Sequence, residues 1–462
     1  MKGIKQVALS IVGGASFITM ASTILRVGGG LITLPLALRT IPSDQLGLYY
    51  TFLAITGLAM LVDFGFAQSV GRNAAYAVGG ATSFSARGVP SAVSMGEPNW
   101  QLLGLLKDAV QKWYLLTSII LGAILLTVGS WFIKNRIEEG GLPSSLLLCW
   151  MVFSLTTTYG LANLFWGSLL VGIGSVRSAA KIGLVSQAIG VAVTVVGLSF
   201  GLGIWVYSIV CVVSALISRI WSERALRRDA PLPKLKASKS EVNSIFGVLW
   251  PMAWRQGVVM IGAFFIQKGN TIICSSKLGL EETSRYGLSL YLLNIIFQVA
   301  VIPLSLKWPM IGKLRVSGET VKIRGLFFRR LYCGLGLAVF GVALAAFVFP
   351  SVLNLMGSKT GLLPSSLFCV LGLILMLETH HSAYASLVIS ENENPFMLPA
   401  IISGVCILLA SWWAAGRWGV WGLILSQGFV QLLWNNWWTV LRGLKGVRLY
   451  KSREVESAHS PV

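Results

Sequence analysis

Twelve apolar runs, each about long enough to cross a lipid bilayer, follow one another along the 462 residues of this chain. A transmembrane helix needs about 20 predominantly apolar residues, and a helix satisfies its backbone polar groups within its own segment. The runs cover residues 11–38, 46–69, 113–134, 145–168, 180–200, 203–221, 246–274, 286–305, 328–350, 364–388, 396–415 and 419–440. This pattern predicts an all-α integral membrane protein with about twelve transmembrane helices.

Composition excludes the soluble classes of protein. Hydrophobic residues make up 55% of the chain and charged residues only 12%, about half the charged content of a soluble domain. A soluble enzyme, a disordered chain and a secreted disulfide scaffold are therefore excluded. The six cysteines show no CxxC motif and no Cys/His ligand spacing, so we interpret them as small core side chains. We predict no metal, no cofactor and, in the absence of a P-loop, no direct ATP hydrolysis.

The basic residues predict how the chain is oriented in the membrane. A net charge of +20 would suggest nucleic acid for a soluble chain, but here Lys and Arg form short clusters between apolar runs, so we expect no nucleic-acid partner. With the N-terminus in the cytoplasm, 27 of the 37 Lys and Arg are cytoplasmic, Arg329 and Arg330 among them, 7 lie outside and 3 lie within spans. Such an excess marks cytoplasmic loops, which predicts that both termini are cytoplasmic.

The position of the longest basic loop predicts two halves. Residues 223–245 contain the midpoint of the chain and a Lys/Arg cluster, so we interpret them as a cytoplasmic linker. A six-helix lobe over 1–222 and a second over 246–441 follow, with a basic cytoplasmic tail over 442–462; transporters are often built from such repeats. The Gly/Ser/Ala-rich stretch 79–97 is interpreted as a flexible cytoplasmic loop.

Scattered motifs near both ends of the chain carry a resemblance to a known family. They are Leu34-Pro35-Leu36, Arg39, Pro42, Leu46-Gly47-Leu48-Tyr49, Leu61 to Gly65 and Arg72, together with Pro395 and Gly416 to Gly422. In these positions the chain resembles the polysaccharide (O-antigen and lipid-linked oligosaccharide) flippase family of the multidrug/oligosaccharidyl-lipid/polysaccharide exporter superfamily. The resemblance implies a non-enzymatic, alternating-access transporter whose two lobes are related by a pseudo-two-fold axis. It also implies export of an undecaprenyl-diphosphate-linked glycan across the bacterial inner membrane, with a polysaccharide polymerase and other assembly proteins as partners.

Three basic residues inside apolar runs are candidates for binding the headgroup of a substrate. Arg26, Arg255 and Lys268 would each cost several kcal/mol in lipid, so a charge at such a position predicts a functional site. Arg binds two phosphate oxygens at once through its planar guanidinium and stays charged. The structural alternatives are an ion pair between Arg26 and Asp63, and extension of the Lys268 side chain to the membrane interface.

Five further polar residues are candidates for lining a cavity or for coupling transport to an ion: Asp63, Gln267, Asn270, Glu378 and His381. Relatives of the resembled family often carry a carboxylate near Asn270, so a proton-coupled transporter would need its titrating group elsewhere; transport driven by the membrane potential without a proton is the alternative. Glu378 and His381 share a helix face three residues apart and are the best remaining titratable pair. A polar cluster between helices is the structural alternative. A metal site is not favoured, because adjacent His380 and His381 point apart on a helix.

Two other functions remain open at this stage. A multidrug or cation antiporter of the same superfamily would need carboxylates in its cavity, and only Asp63 and Glu378 are available. An integral membrane polysaccharide polymerase or glycosyltransferase would need a sizeable catalytic segment outside the membrane, which the short outer loops do not supply.

Overall fold

The computed structural model of the chain describes residues 15–85, 97–233, 237–390 and 395–445. The helices in chain order are α1 Ala15–Thr40, α2 Ser43–Thr56, α3 Leu58–Asp63, α4 Phe66–Val78, α5 Trp100–Ile124, α6 Ser130–Glu139, α7 Ser145–Ala162, α8 Leu164–Gly172, α9 Val176–Ser199, α10 Trp205–Asp229, α11 Lys239–Lys277, α12 Gly279–Ser305, α13 Trp308–Val316, α14 Thr320–Phe347, α15 Phe349–Leu355, α16 Ser365–Ile389 and α17 Met397–Leu433. A π-helical turn, Leu125–Gly129, joins α5 to α6. The predicted all-α architecture is confirmed.

The number of long apolar helices agrees with the predicted spans. Ten helical segments of the described chain are long and apolar enough to cross a membrane. The last of them, Met397–Lys445, contains a reversal at Gly419, where φ is 58°. Ser411 Oγ lies 3.4 Å from the Leu423 carbonyl oxygen, to which it donates, so the chain doubles back and forms two antiparallel segments. Together with α1, these elements correspond to the twelve predicted runs.

Several predicted runs are interrupted in the structure. The run 46–69 is divided at two places. Gly57 separates α2 from α3. Phe64 and Gly65, which adopt positive φ of 48° and 70°, turn the chain sharply between α3 and α4. The run 145–168 is divided at Asn163 into α7 and α8. The apolar composition of a segment shows whether the segment is long enough to span the bilayer. It does not show where the helix is locally broken.

Capping explains where two of the long helices begin. At α5, the Asn99 side chain accepts from the Leu102 backbone N–H, so the helix starts well before the apolar run 113–134. Before α11, Ser238 and Glu241 form a reciprocal capping box: the Ser238 N–H donates to the Glu241 carboxylate at 2.7 Å, and the Glu241 N–H donates to Ser238 Oγ at 3.3 Å. Each bond satisfies a backbone donor that a helix start leaves free.

The chain divides into two compact units, Met1–Met260 and Ile261–Val462. The largest fully buried side chains of the first unit include Trp150, Tyr114 and Phe52. The second unit has a core around Tyr286, Phe368 and Leu423. The lobe, linker and tail limits read from the sequence stay predictions, and residues 1–14 and 446–462, which include both termini, lie outside the described residues.

Candidate functional site

A stripe of amide side chains lies on the last membrane segment of the C-terminal unit. Gln427 and Gln431 are one helical turn apart in α17, and Asn436 follows five residues after Gln431, beyond the non-helical Trp434. Gln427 and Gln431 are 4% and 1% exposed. Buried polar groups in a membrane protein need partners within the protein, because lipid offers none. Each of the three contacts a residue of α11 or α16.

The first contact of the stripe is between two buried amides. Asn270 Nδ2, in α11, donates to Gln427 Oε1 at 2.9 Å. The same nitrogen lies 3.4 Å from the Leu423 carbonyl oxygen. Asn270 Oδ1 is buried and has no hydrogen-bond partner among the described residues. One strong acceptor therefore remains available for a donor from a substrate, an ion or water.

The second contact contains the carboxyl group of the network. Gln431 Nε2 donates to Glu378 Oε2, in α16, over 3.4 Å. The Gln267 side chain of α11 also hydrogen-bonds Glu378. Gln431 Oε1 is buried without a hydrogen-bond partner in the described part of the chain. Glu378 is thus held by two amides and by no described basic side chain, which leaves it able to take up or release a proton or a cation.

The third contact pairs the histidine with the last amide of the stripe. His381 Nδ1 and Asn436 Oδ1 are 2.8 Å apart, the distance of a hydrogen bond in which Nδ1–H donates. His381 follows Glu378 by three residues on α16, as the sequence analysis expected. The ring is therefore held by Asn436 and by the Leu377 backbone of its own helix.

Four of the candidates named from the sequence thus take part in these polar contacts of the C-terminal unit: Gln267, Asn270, Glu378 and His381. Their partners Gln427 and Gln431 on α17, and Asn436 beyond its end, were not predicted from the sequence. A signal existed for the first two, since Gln427 and Gln431 lie four residues apart within an apolar run, which places side chains on one helix face. The arrangement offers a titratable carboxyl, an imidazole and two unsatisfied amide oxygens in an apolar setting.

In the N-terminal unit, Asp63 is engaged by its surroundings. The Tyr114 hydroxyl of α5 donates to its carboxylate, and the backbone N–H groups of Gly65 and Ala67 are further donors. Asp63 is 9% exposed and adjoins the positive-φ turn at Phe64 and Gly65. It therefore stabilises the turn into α4 and ties it to α5. Its assignment to cavity or coupling stays a prediction.

The candidate cations have fewer partners than the carboxylates. Arg255 is exposed, and its guanidinium carbon lies 5.9 Å from the centre of the Trp254 ring. Lys268 is partly buried. Neither of these two side chains forms a hydrogen bond or an ion pair with any described residue. The backbone of Arg26 lies in α1, but its side chain lies outside the described part of the structure.

Comparison with known proteins identifies the fold. No protein-family model matches the chain, and no curated protein matches it. Among solved structures, it is similar to the inward-facing conformation of a multidrug resistance MATE family transporter of the MOP superfamily, with a TM-score of 0.68 and 12% identity over 93% of this chain and 96% of that one. A MOP superfamily transporter from Pyrococcus furiosus gives a TM-score of 0.54 and 13% identity over 94% and 96%.

These similarities define a class by fold. The chain has the fold of the multi-pass MATE transporters of the MOP superfamily. At 12–13% identity they carry no information on substrate. The narrower resemblance to polysaccharide flippases stays a prediction.

Proposed function

We propose that this protein is a transporter that exports an anionic amphiphile, an undecaprenyl-diphosphate-linked oligosaccharide, across the bacterial inner membrane. One observation carries the proposal. The carboxylates Asp63 and Glu378 are hydrogen-bonded by neighbouring side chains, whereas Arg255 and Lys268 have no hydrogen bond or ion pair with a described residue. The charges left free in the apolar segments are therefore positive.

Free positive charge in apolar segments favours an anionic substrate. An unpaired ionisable group is costly in a membrane and marks a substrate or ion pathway. A diphosphate gives the guanidinium of Arg255 several acceptor oxygens in its preferred planar geometry. Arg26 belongs to the same proposal on sequence grounds.

One structural neighbour also connects the polarity of its binding pocket with its function. For the transporter from Pyrococcus furiosus, reverse polarity of the binding pocket is reported to suggest a different function. We take the surplus of free cations in the present chain as the corresponding sign of an anionic substrate.

A lipid-linked substrate also needs an apolar path for its chain. The C-terminal unit contains an apolar groove of about 630 Å³ between α16 and the two arms of the α17 hairpin, lined among others by Leu373, Trp413, Trp418 and Phe429. Its apolar walls suit an isoprenoid segment better than a water-soluble drug. The proposed partners are the lipid bilayer, the lipid-linked glycan and, by resemblance, polysaccharide polymerase and other assembly proteins.

Transport in proteoliposomes tests the proposal. We expect wild-type protein to move a fluorescent polyprenyl-diphosphate oligosaccharide between leaflets, and Arg255→Ala and Lys268→Ala each to reduce the rate by tenfold or more at normal protein levels. Arg285→Ala is the matched control, because Arg285 is paired with Glu281 and Glu282 at the start of α12. Full transport by both test variants would contradict the role of these cations.

A second candidate function is export of organic cations. The neighbour of higher TM-score is a multidrug resistance transporter, and Glu378 with its amide partners is a carboxyl group that a cation could approach. The same vesicles distinguish the two functions. Uptake of an organic cation dye that is abolished by Glu378→Gln, without movement of the diphosphate lipid, would favour multidrug export.

A further inference from the structure

The C-terminal unit contains a second cavity, apart from the cations considered above. It has a volume of about 210 Å³ and lies among α12, α14 and α16, with Trp308 at the start of α13 also lining it. Most of its wall is apolar, including Phe297, Leu331 and Leu375. The polar residues in the wall include Asn294, Arg330, Glu378 and Ser382. Neither Arg255 nor Lys268 lines it.

Arg330 is the charged side chain of this cavity that has no hydrogen-bond or ion-pair partner among the described residues. Its Nε is buried and has no hydrogen-bond partner among the described residues. Its guanidinium forms no ion pair with any described carboxylate, although Glu378 lies in the same wall. A guanidinium has five N–H donors and no acceptor, and leaving it unmatched in an apolar wall is costly. Glu378 is engaged by Gln431 and Gln267, so Arg330 has no acceptor among the described residues.

Two further donors in the wall are also unmatched. Asn294 of α12 and Ser382 of α16 are exposed, and their side chains form no hydrogen bond with another described residue. By contrast, Thr379 and Ser386 in the same wall donate to carbonyls of their own helix at 2.9 Å. The amide, the hydroxyl and the guanidinium thus come from three helices and are free to bind one ligand.

The volume limits which part of a ligand can enter. A pocket that encloses a whole drug-sized molecule has roughly 300–1,000 Å³, so 210 Å³ accommodates a headgroup but not a lipid or an oligosaccharide. The exposed Asn294, Ser382 and Val301 show that the cavity opens at the surface of helices that qualify as membrane spans. An apolar chain attached to the bound group can therefore extend outward.

We infer that this cavity binds the phosphate group of an anionic amphiphile, with Arg330 as the charged ligand and Asn294 and Ser382 as additional donors. The phosphate supplies the missing acceptors, and the apolar wall contacts the first part of the attached chain. The inference goes beyond the proposed function, because the amphiphile can be the isoprenoid diphosphate of a transported substrate or a resident phospholipid of the membrane.

Binding to the full-length protein in detergent tests the inference by calorimetry. Farnesyl diphosphate is the isoprenoid probe and short-chain phosphatidylglycerol the phospholipid probe. Farnesol lacks the phosphate, and inorganic diphosphate lacks the chain. We expect at least one of the two amphiphilic phosphates to bind, with farnesol and inorganic diphosphate at least tenfold weaker. Competition between the two amphiphiles then shows whether they share one site, and the tighter binder identifies the source of the phosphate.

The variants provide the decisive comparison. Arg330→Gln should weaken amphiphile binding by tenfold or more, since a charged bidentate contact is lost. Arg329→Gln is the matched control, because Arg329 is exposed on the same helix and does not line the cavity. If Arg330→Gln does not fold, the double variant Asn294→Ala and Ser382→Ala should weaken binding severalfold.

Two results would overturn the inference: farnesol binding as tightly as farnesyl diphosphate, or unchanged affinity in the cavity variants. Its failure is distinguishable from that of the proposed function. Binding that depends on Arg330 without any transport of lipid-linked sugar would reject the flippase and leave the phosphate site in place.

Discussion

At the scale of single residues, the informative contrast is between Glu378 and its neighbours. A carboxyl exchanges a proton or binds a cation, whereas Gln267, Gln431 and Asn270 can only donate and accept hydrogen bonds. Asn270 occupies a place where the resembled family often carries an acid. We therefore expect Glu378 with His381 to be the pair that couples transport to an ion, and close titratable groups behave as one coupled unit.

Glu378→Gln should abolish proton-driven transport and leave the protein folded, because an amide keeps the contact with Gln431 but cannot release a proton. Transport is measured in vesicles with a pH gradient alone and with a membrane potential alone. Glu281→Gln is the control, since Glu281 is exposed and paired with Arg285 at the start of α12. An unchanged pH-driven rate in Glu378→Gln would exclude this residue as the coupling acid.

If wild-type transport responds to the potential and not to the pH gradient, the anionic headgroup is driven outward electrophoretically. Moving one charge through 100 mV is worth about 2.3 kcal/mol. In that case Glu378 has a binding role without proton coupling, and the amide variant should retain most of the potential-driven rate.

At the scale of helices, glycine decides how closely two of them approach. A Cβ at Gly334 of α14 would lie 2.2 Å from the Ala300 carbonyl oxygen of α12, whereas a Cβ at Gly336 would have no neighbour within 4 Å. Small residues at crossings allow such close contact between membrane helices, where packing and not the hydrophobic effect drives association.

Gly334→Ala should therefore destabilise the protein and Gly336→Ala should not. The extra methyl group forces α12 and α14 apart, and overpacking of this kind costs typically 1–3 kcal/mol. The measurement is the Tm of purified protein in detergent, with the Gly336 variant correcting for the change in helix propensity. Equal Tm values for the two variants would show that the helices separate without penalty.

At this scale, some turns and breaks of the helices could be predicted from the sequence and others could not. The predicted spans 396–415 and 419–440 require a turn between them, and it is present at Gly419. The breaks at Phe64 and Asn163 were not predicted. Next to Phe64, the Asp63 carboxylate accepts from Tyr114 of α5, a contact that forms only when the helices pack, whereas the Asn163 side chain donates to the Tyr159 carbonyl of the preceding turn.

At the scale of the whole molecule, the distribution of Lys and Arg predicts the topology. Fusions of a cytoplasmic reporter should be active at both termini, since 27 basic residues fall on that side against 7 on the other. A periplasmic reporter placed after Arg417, in the α17 hairpin, should be active instead. An extracytoplasmic C-terminus would require an odd number of crossings and would contradict the twelve predicted spans.

The sequence by itself determined that this protein is an all-α membrane protein and where its apolar helices lie along the chain, and it predicts their orientation. Bilayer thickness imposes span length, the high cost of charge in lipid confines most polar residues to loops, and the positive-inside rule orients those loops. Each of these constraints acts along the chain, so residue order alone is sufficient to apply it. Arg255, Lys268, Asn270, Glu378 and His381 were found in this way, as polar residues in apolar runs.

Only the tertiary structure decided which polar residues meet. The helices here are apolar on nearly every side, so sequence periodicity does not show which face of a helix turns toward a neighbour. Packing placed Gln427, Gln431 and Asn436 against α11 and α16. Packing also placed Arg330, counted from sequence among cytoplasmic loop charges, in the wall of a cavity. Such contacts join residues far apart in the chain. Their geometry depends on how each helix is rotated and how closely two helices approach, and neither can be read from the order of residues.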